Sequence, residues 1–407
     1  MKKLNVIYAG WGERYELGIL ADDGTDLLFE YSAQAIRRGL ELSPYRLPLS
    51  TKTYGNFPDY QLRLPGMLSD ALPDGWGMLL MDRLFRKEQR TDVSPLDRLA
   101  FIGDRAMGAL AFEPADGEKM TEQDVRLLDL AQEVQLIMDD ESEPLLRKLA
   151  LMGGSPHGAR PKVLVNFDQE TNRMSNAQSG SGVPMLVKFP AQNERKEVCA
   201  VEALYSRLAK ASGIRVPASQ YFDLSADLAA FGIERFDRVD AMKVPMHTAA
   251  GAAHADFRHP QLDYVELLRL TKLMTRDIRE VQQAFEHCVF NVVFNNRDDH
   301  AKNFSFLLTK TGEWKFSPAY DLTFSEGPGG EHQMDICGEA KFPAREHLLE
   351  LAIKTGLSKQ DAIEAIDRIS EVPTALANFV GDLPISKKTL SAIEKAVTAN
   401  RLRLSAK

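Results

Sequence analysis

The residues best suited to chemistry lie in one polar segment near position 300. The segment reads Asn296-Arg297-Asp298-Asp299-His300-Ala301-Lys302-Asn303. Asp298 and Asn303 are five positions apart, the spacing that phosphoryl-transfer enzymes use for a catalytic aspartate and a metal-binding asparagine. The aspartate accepts the proton of the attacking hydroxyl, and the amide oxygen binds Mg²⁺. We therefore predict these roles for Asp298 and Asn303. His300 either orients a neighbouring aspartate or braces the loop, and we also assign it to the nucleotide site.

A predicted β-hairpin brings a second carboxylate into range. Strand-like residues at 303–308 and 313–317 flank a polar turn at 309–312. Because an antiparallel hairpin returns the chain to its start, Asp321 can approach Asn303. We expect these two residues to be the protein ligands of Mg²⁺.

Phosphoryl transfer also needs a cation at the nucleotide phosphates. Lys188 is flanked by apolar residues on a predicted strand, and Glu202 follows on a predicted helix. Kinases pair a strand lysine with a helix glutamate in this order, although a lone lysine on an edge strand is usually solvated. We predict that Lys188 binds the phosphates and that Glu202 supports it.

A glycine-rich segment precedes another predicted strand. It reads Gly153-Gly154-Ser155-Pro156-His157-Gly158-Ala159-Arg160-Pro161-Lys162, which is neither a Walker loop nor a GxGxxG fingerprint. Its glycines allow backbone N–H groups to approach phosphate, and Lys162 would add charge. A surface turn ahead of the strand is an equally good interpretation. We include Ser155, Gly158 and Lys162 among the candidate ATP-binding residues.

The composition limits the classes of function. The 407 residues include 50 Lys and Arg against 58 Asp and Glu, a net charge of −8. This acidic balance, without a long basic run, argues against a protein that coats nucleic acid by itself. Three dispersed cysteines favour a reducing cytosol over a disulfide framework or a zinc site. No apolar stretch approaches the roughly 20 residues of a membrane helix, so we expect a cytoplasmic protein without a membrane partner.

Three histidines at positions 247, 254 and 259 suggest a metal site at first sight. They lie in an Ala/Gly-rich stretch without nearby cysteines. Their spacing fits no common zinc pattern. We interpret them as incidental residues of a loop.

The elements that must position these residues mix helices and strands, which predicts an α+β fold. Apolar periodicity predicts strands at 4–8, 15–20 and 27–30 (an antiparallel meander), 108–113, 162–167, 185–189 and 231–238, and helices at 76–86, 97–101, 125–128, 143–151, 197–211, 262–275, 277–296, 345–354, 358–370 and 386–402. The polar residues 172–182 are expected to form a loop. We predict a β-rich part at 1–120, a small α+β part at 121–238 and an α-rich part at 239–407.

Several motifs together resemble the signature set of the HipA family. They are Asn296–Asn303, Pro318-Ala319-Tyr320-Asp321-Leu322, Gly154–Lys162 and Ile233-Glu234-Arg235-Phe236-Asp237-Arg238, and Leu72-Pro73-Asp74-Gly75-Trp76-Gly77 and Gly108–Phe112 are similar to the family's first subdomain. The resemblance covers nearly the whole chain. It implies a two-lobed, protein-kinase-like fold with an extra β-rich N-terminal subdomain and an α-rich C-terminal lobe. It also implies an ATP- and Mg²⁺-dependent serine/threonine kinase, the toxin of a HipBA-type toxin–antitoxin module.

The resemblance further implies roles for individual residues. These are Asp298 as catalytic base, Asn303 and Asp321 as magnesium ligands, Lys188 at the α- and β-phosphates, Glu234 and Phe236 at the adenine through their backbone, and Ser155 as the serine that the enzyme autophosphorylates. Phosphorylation of this serine would eject the glycine-rich loop and silence the enzyme, because a dianionic group is repelled by the ATP phosphates.

The implied partners are a HipB-like helix-turn-helix antitoxin, operator DNA bound through that antitoxin, and a cytosolic protein substrate such as an aminoacyl-tRNA synthetase or another translation factor. A second hypothesis is a kinase-like, non-catalytic corepressor subunit of a DNA-binding complex. The intact set of site residues argues against lost activity. A third hypothesis, a metal phosphoesterase built on Asp298-Asp299-His300, needs further His or Asp ligands at metal spacing, which the sequence does not supply.

Overall fold

Helices and strands are mixed along the chain, and the fold is α+β, as the sequence predicted. A computed structural model gives the structure of residues 1–116, 121–137, 142–176, 182–259 and 261–405. The strands are β1 (Lys3–Tyr8), β2 (Tyr15–Asp22), β3 (Leu27–Tyr31), β4 (Leu110–Glu113), β5 (Asp124–Val125), β6 (Lys162–Asp168), β7 (Arg173–Ser175), β8 (Val183–Lys188), β9 (Ser219–Asp223), β10 (Ala229–Glu234), β11 (Arg238–Val239), β12 (Met242–Lys243), β13 (Met246–Thr248), β14 (Ser305–Leu308) and β15 (Trp314–Phe316). The helices are α1 (Ala33–Arg38), α2 (Gly66–Ser69), α3 (Gly75–Lys87), α4 (Pro95–Ile102), α5 (Leu127–Leu136), α6 (Glu143–Gly153), α7 (Glu197–Ala211), α8 (Ala249–Ala253), α9 (Tyr264–Thr275), α10 (Ile278–Phe294), α11 (Arg345–Thr355), α12 (Lys359–Glu371), α13 (Leu376–Val380) and α14 (Lys387–Ser405).

The chain divides into two compact units. The first unit contains Met1–Lys196, Gln220–His247 and Leu307–Gly312, and the second contains Glu197–Ser219, Thr248–Phe306 and Glu313–Lys407. Helix α7, which the sequence placed in the middle part of the chain, therefore belongs to the second unit. The division into three parts at 120 and 238 stays a prediction.

The first sheet of the first unit is the predicted meander. Its strand order is β3-β2-β1-β4, and β1 pairs antiparallel with both β2 and β4. Along β3, Leu27, Phe29 and Tyr31 are buried while the residues between them are more exposed. This period of two places one face of the sheet against the core.

The second sheet carries the candidate nucleotide residues of the first unit. Its strand order is β5-β7-β6-β8-β10-β9. Strand β8 lies between β6 and β10, and Lys188 pairs directly with Lys162 on one side and with Phe231 on the other. Lys188 is therefore on an interior strand and is only 5% exposed, so the alternative of a solvated edge lysine is wrong.

Two sequence predictions at the end of this sheet are corrected. Residues 124–125 form β5 instead of starting a helix, and α5 begins at Leu127. Part of the expected loop at 172–182 forms β7, whereas 177–181 lie outside the described residues. Strand β7 pairs with both β6 and β5, which satisfies backbone groups that a polar loop would leave to water. Both segments form strands because they pair with a neighbouring strand. The apolar periodicity of a single segment does not indicate such pairing.

The second unit is mainly helical. Helix α7 occupies 197–211, the range that the sequence predicted. The predicted hairpin also forms from β14 and β15, and the order in its sheet is β13-β14-β15. Strand β15 and the start of β14 belong to the second unit, whereas residues 307–312 belong to the first. Helix α10 is buried along most of its last three turns. Helix α10 ends at Phe294, so the polar segment at 296–303 begins two residues after it.

No helix in the described ranges combines the length and the apolar character that crossing a bilayer requires.

Candidate active site

The polar segment at 296–303 starts from a fixed helix end. Asn295 caps α10 in the left-handed conformation, with φ of 54°, and donates its backbone N–H to Asn291 O. Asparagine tolerates this conformation better than most residues. The Asn296 side chain donates to Asn291 Oδ1 at 2.9 Å. The chain therefore leaves α10 in a defined direction toward Asp298.

The structure brings Asp298 and Asn303 together, as their spacing predicted. Asn303 is buried, and its Nδ2 donates to the backbone oxygen of Asp298 at 2.7 Å. Because the amide nitrogen is engaged, Oδ1 is the Asn303 atom suited to bind a cation. The Asp298 side chain is 46% exposed, and its Oδ1 accepts a hydrogen bond from Gln333 Nε2 at 3.0 Å. This carboxylate is accessible and also oriented.

The hairpin return that should carry Asp321 is present. Ser317 N donates to Ser305 O at 2.8 Å. Tyr320 Oη donates to Lys302 O at 2.7 Å, and the Ser305 hydroxyl lies 2.5 Å from the same phenol oxygen. Residue 320 thus contacts both sides of position 303.

Asp321 follows with φ of +58°, a left-handed conformation that aspartate adopts more readily than most residues. A carboxylate from Asp321 and an amide oxygen from Asn303 are the hard oxygen ligands that Mg²⁺ prefers. Such sites commonly use one or two carboxylates, with phosphates and waters completing the shell. The residues present therefore fit this ion.

Asp299 is adjacent to Asp298 but has a different environment. It is buried, and its Oδ2 accepts from Tyr264 Oη at 2.8 Å and from His332 Nδ1 at 2.7 Å. Its Oδ1 accepts from the Gln333 backbone N–H at 2.8 Å. Burial and the nearby Asp299 carboxylate raise the pKa of Tyr264 well above its usual value. Three internal donors make Asp299 a brace of the loop, which disfavours the phosphoesterase hypothesis.

His300 contributes more to packing than to hydrogen bonding. Its ring lies 5.5 Å from the Phe257 ring, and Lys302 Nζ lies 4.2 Å from the centre of the same ring. His300 Nε2 is 3.8 Å from Asp298 Oδ1, beyond a normal hydrogen bond. Within the described residues, its buried Nδ1 has no hydrogen-bond partner. The geometry favours the bracing alternative, and the assignment to the nucleotide site stays a prediction.

In the first unit, two lysines share one face of the second sheet. Lys188 and Lys162 are directly opposite each other on β8 and β6, and residues opposite in an antiparallel pair point to the same side. Lys188 Nζ lies 5.9 Å from the centre of the Phe231 ring. Lys162 Nζ donates to His157 O in the glycine-rich segment. This face combines positive charge with the loop that could approach phosphate.

The glycine-rich segment is held by the Leu72–Gly77 motif, a contact that sequence reasoning missed. Gly158 N donates to Asp74 Oδ1, and Trp76 N donates to Gly158 O at 3.3 Å. His157 Nε2 donates to Leu72 O at 3.0 Å. Gly75, at φ of +44°, has Gly158 O only 2.6 Å from where a Cβ would be. Gly75 is the residue in the sequence that could have indicated this close approach of two backbone segments.

Ser155 lies inside the first unit. Its side chain is fully buried, and its Oγ accepts a hydrogen bond from Met107 N at 2.6 Å. A Cβ at the preceding Gly154 would lie 2.6 Å from Leu164 Cδ1. The segment is therefore packed inward, and the Ser155 hydroxyl does not face solvent in this conformation.

Strand pairing and a buried carboxylate hold the chain on either side of Phe236. Glu234 ends β10 opposite Met185, and the buried Asp237 follows. Gly108 N donates to Asp237 Oδ2 at 2.8 Å, and Arg235 and Arg238 contact the same carboxylate at 2.9 and 2.7 Å. Burial alone would raise the pKa of Asp237, but the two guanidinium groups hold it below its usual range. These ion pairs stabilise the segment whose backbone is predicted to contact the adenine.

Glu202 is buried on α7 in the second unit, whereas Lys188 is on β8 in the first. Each residue occupies the kind of element that the sequence predicted. The pairing between them stays a prediction.

The three histidines set aside above have separate surroundings. His247 is buried, with Nδ1 2.6 Å from Asp70 Oδ2 and Nε2 3.0 Å from Ser43 Oγ. His259 Nδ1 lies 2.8 Å from Asp256 Oδ2. His254 ends α8 in the left-handed conformation. His247 is therefore a buried residue of strand β13 and not the loop residue that we expected, and Asp70 and Ser43 satisfy its ring.

His332 and Gln333, which contact the two aspartates, were also missed. They lie in the segment after Asp321, which has neither helical nor strand periodicity. The role of His332 and Gln333 depends on the contact of this segment with the loop at 296–303. No residue spacing in the sequence predicts that contact.

Comparison with known proteins agrees with the motifs. The HipA-like C-terminal domain matches residues 154–376, and the HipA N-terminal domain matches residues 9–113. Y4mE of Sinorhizobium fredii, which carries a provisional kinase name, is 31% identical over 277 residues, or 62% of this chain and 62% of that protein. The serine/threonine-protein kinase toxin HipA of Shewanella oneidensis is 24% identical over 409 residues, covering 90% of this chain and 88% of that protein.

A solved structure of the Shewanella oneidensis MR-1 toxin–antitoxin system, HipA with HipB and its operator DNA, has a chain with the same fold. The TM-score is 0.74 at 21% identity, and the match covers 98% of this chain and 96% of that one. The C-terminal domain match alone spans more than half of the 407 residues. The chain therefore belongs to the HipA family and has its α+β, kinase-like fold.

Proposed function

We propose that the protein is an ATP- and Mg²⁺-dependent serine/threonine kinase that acts as a toxin. The observation that carries this proposal is the arrangement at the end of α10. The Asn303 amide is held on the Asp298 backbone, the Asp298 carboxylate is accessible and oriented, and the hairpin return places Tyr320 against both sides of Asn303. This arrangement suits a base beside a magnesium site.

In the proposed reaction, the hydroxyl oxygen of a substrate serine or threonine attacks the γ-phosphorus of ATP. The bond from the γ-phosphorus to the bridging oxygen breaks and ADP leaves. Asp298 accepts the hydroxyl proton, which its exposed carboxylate can reach. Asn303 and Asp321 would hold Mg²⁺, which neutralises charge on the phosphates when it is bound.

The first unit would bind the nucleotide. Lys188 would contact the α- and β-phosphates, with Lys162 and the backbone around Gly158 nearby in the same unit. The adenine would bond to the backbone at Glu234 and Phe236, which the Asp237 cluster holds rigid. Glu202 would support Lys188, as the order of strand lysine and helix glutamate predicts.

Self-inactivation through Ser155 is part of the proposal. The buried hydroxyl requires the segment at 153–158 to leave its place before it can receive a phosphoryl group. A phosphoserine could not return to this dry position, because burying a dianion without partners is costly.

A HipB-like helix-turn-helix antitoxin is the proposed partner, since the structural relative is a complex with HipB and operator DNA. The net charge of −8 fits an arrangement in which the antitoxin makes the DNA contacts. We propose a cytoplasmic protein substrate, such as an aminoacyl-tRNA synthetase or another translation factor.

Transfer of ³²P from γ-labelled ATP to the chain itself and to lysate proteins tests the proposal. We expect wild-type labelling, a loss of about 10²- to 10⁴-fold in Asp298→Asn, and normal labelling in the exposed control Asp382→Asn, whose side chain is 93% exposed. Ser155→Ala should lose self-labelling but keep labelling of other proteins. If the wild-type protein labelled nothing at all, the corepressor alternative would be favoured.

A further inference from the structure

The segment that follows Asp321 is fastened to the residue beside the proposed base. Arg297 Nη1 donates to Gly330 O and, at 3.3 Å, to Glu326 O, and its Nη2 donates to Lys341 O at 3.0 Å. These contacts fold residues 326–341 back over the loop at 296–303. Because Arg297 immediately precedes Asp298, the position of this segment is set relative to the Asp298 backbone.

The folded-back segment places two consecutive residues on the two aspartates. His332 Nδ1 and the Gln333 backbone N–H both bond to Asp299, at 2.7 and 2.8 Å. The Gln333 side chain then reaches the neighbouring carboxylate, with Nε2 3.0 Å from Asp298 Oδ1. The backbone of Gln333 is thus held by Asp299, and its side chain contacts Asp298 from that fixed position.

We propose that Gln333 is the positioning residue for the Asp298 carboxylate. This inference rests on the proposed function, in which Asp298 is the base. A half-exposed aspartate rotates freely about its side-chain bonds unless a donor fixes one oxygen. The Gln333 amide holds Oδ1 in place and so fixes the direction in which the carboxylate faces a substrate hydroxyl.

Two neighbouring side chains are less suited to this role. His300 Nε2 lies 3.8 Å from Asp298 Oδ1, beyond hydrogen-bonding distance. The Asn303 amide nitrogen is used on the backbone oxygen of Asp298. Gln333 also carries no charge of its own, so it orients the carboxylate without competing for the proton.

Substitution of Gln333 tests the role kinetically. Gln333→Leu removes the donor, and we expect kcat to fall about 10-fold with the KM for ATP nearly unchanged, since misplacing a reacting group costs rate. Gln333→Glu keeps the shape but places a second negative charge against Asp298, so its kcat should be lower still. A role in packing alone would give the reverse order, because Glu preserves the shape better than Leu.

The matched control is Gln360→Leu, which removes a surface amide that bonds to Glu364 on α12. This variant should keep wild-type kinetics. Wild-type kcat in Gln333→Leu, or a higher kcat in Gln333→Glu than in Gln333→Leu, would overturn the inference.

A second readout does not depend on catalysis. In protein labelled with ¹⁵N-glutamine, the Gln333 side-chain amide signal is assigned by its absence in Gln333→Leu. We expect this signal to shift in Asp298→Ala and to stay in place in Asp382→Ala. An unmoved signal in Asp298→Ala would overturn the inference. A wild-type protein without phosphoryl transfer, but with a signal that moves in Asp298→Ala, would instead overturn the proposed function and leave the contact standing.

Discussion

At the scale of single residues, burial gives the adjacent Asp298 and Asp299 different environments. Asp298 is half exposed and accepts a hydrogen bond from Gln333, whereas Asp299 is buried and accepts from Tyr264, His332 and the Gln333 backbone. The spacing to Asn303 predicts Asp298 as the base, and this residue is the more exposed of the two. The role of the second depended on Tyr264 and His332, which are distant in sequence.

Asp299→Asn should destabilise the protein more than Asp298→Asn. The amide in place of Asp299 would present a donor to Tyr264 and His332, which both donate to that carboxylate, and we expect a loss of about 3 kcal/mol in the free energy of unfolding. Asp298→Asn changes a half-exposed group and should cost less than about 1 kcal/mol. Urea unfolding measures both values. Equal losses in the two variants would contradict the bracing role of Asp299.

His287 should make stability depend on pH. Burial lowers its pKa from 6.5 to about 4, and its ring packs 4.8 Å from the Phe304 ring. Because the unfolded chain binds a proton between these two values and the folded one does not, stability is complete above pH 6.5 and falls as the pH drops toward 4.

The loss from His287 can reach about 3 kcal/mol. Urea midpoints at pH 7 and pH 5 should therefore differ more in the wild-type protein than in His287→Phe. His259→Phe, at a mostly exposed side chain, is the control and should keep the wild-type difference. An identical pH difference in wild type and His287→Phe would rule out this residue as the cause.

At the scale of elements, periodicity and turn chemistry predicted the parts that position the site. Helix α7 and the end of α10 have apolar patterns long enough to show their period, and the hairpin of β14 and β15 is marked by the polar turn between its strands. Each formed close to its predicted bounds. The short strands β5 and β7 did not show a period. Their conformation depends on pairing with a neighbour, which a single segment of sequence does not contain.

Asp74→Ala should loosen the glycine-rich segment. The substitution removes the acceptor of the Gly158 N–H, and we expect hydrogen exchange of peptides covering 153–161 to accelerate about 10-fold in the absence of ATP. Asp74→Asn keeps an oxygen acceptor and should stay near the wild-type rate. The surface control is Asp92→Ala. Wild-type exchange in Asp74→Ala would show that this contact does not hold the segment.

At the scale of the whole molecule, the resemblance of motifs identified the family and its fold, because the motifs occur in order along nearly the entire chain. Local patterns did not predict the two-unit division, in which the second unit takes α7 while the first takes residues 220–247. Such a division depends on contacts between distant segments. The contacts of Gln333 with Asp298 and of Asp74 with Gly158 also join residues distant in sequence, so local patterns did not predict them.

Growth arrest on overexpression should depend on Asp298. If toxicity comes from phosphoryl transfer, Asp298→Gln should abolish the arrest at equal protein level, whereas Asp382→Asn should keep it. Colony counts after induction measure the effect, and thermal unfolding checks that the variant is folded. A toxic Asp298→Gln protein would mean that the arrest has another origin.

The pairing of Lys162 with Lys188 links the glycine-rich segment to the proposed phosphate lysine. The Lys162 side chain donates a hydrogen bond to the His157 carbonyl, and its backbone pairs with that of Lys188 on the adjacent strand. This one residue pair therefore connects the glycine-rich segment with the strand that carries Lys188. Displacing the segment would release the Lys162 side chain beside Lys188, so under the proposed function the exposure of Ser155 and the binding of ATP would change together.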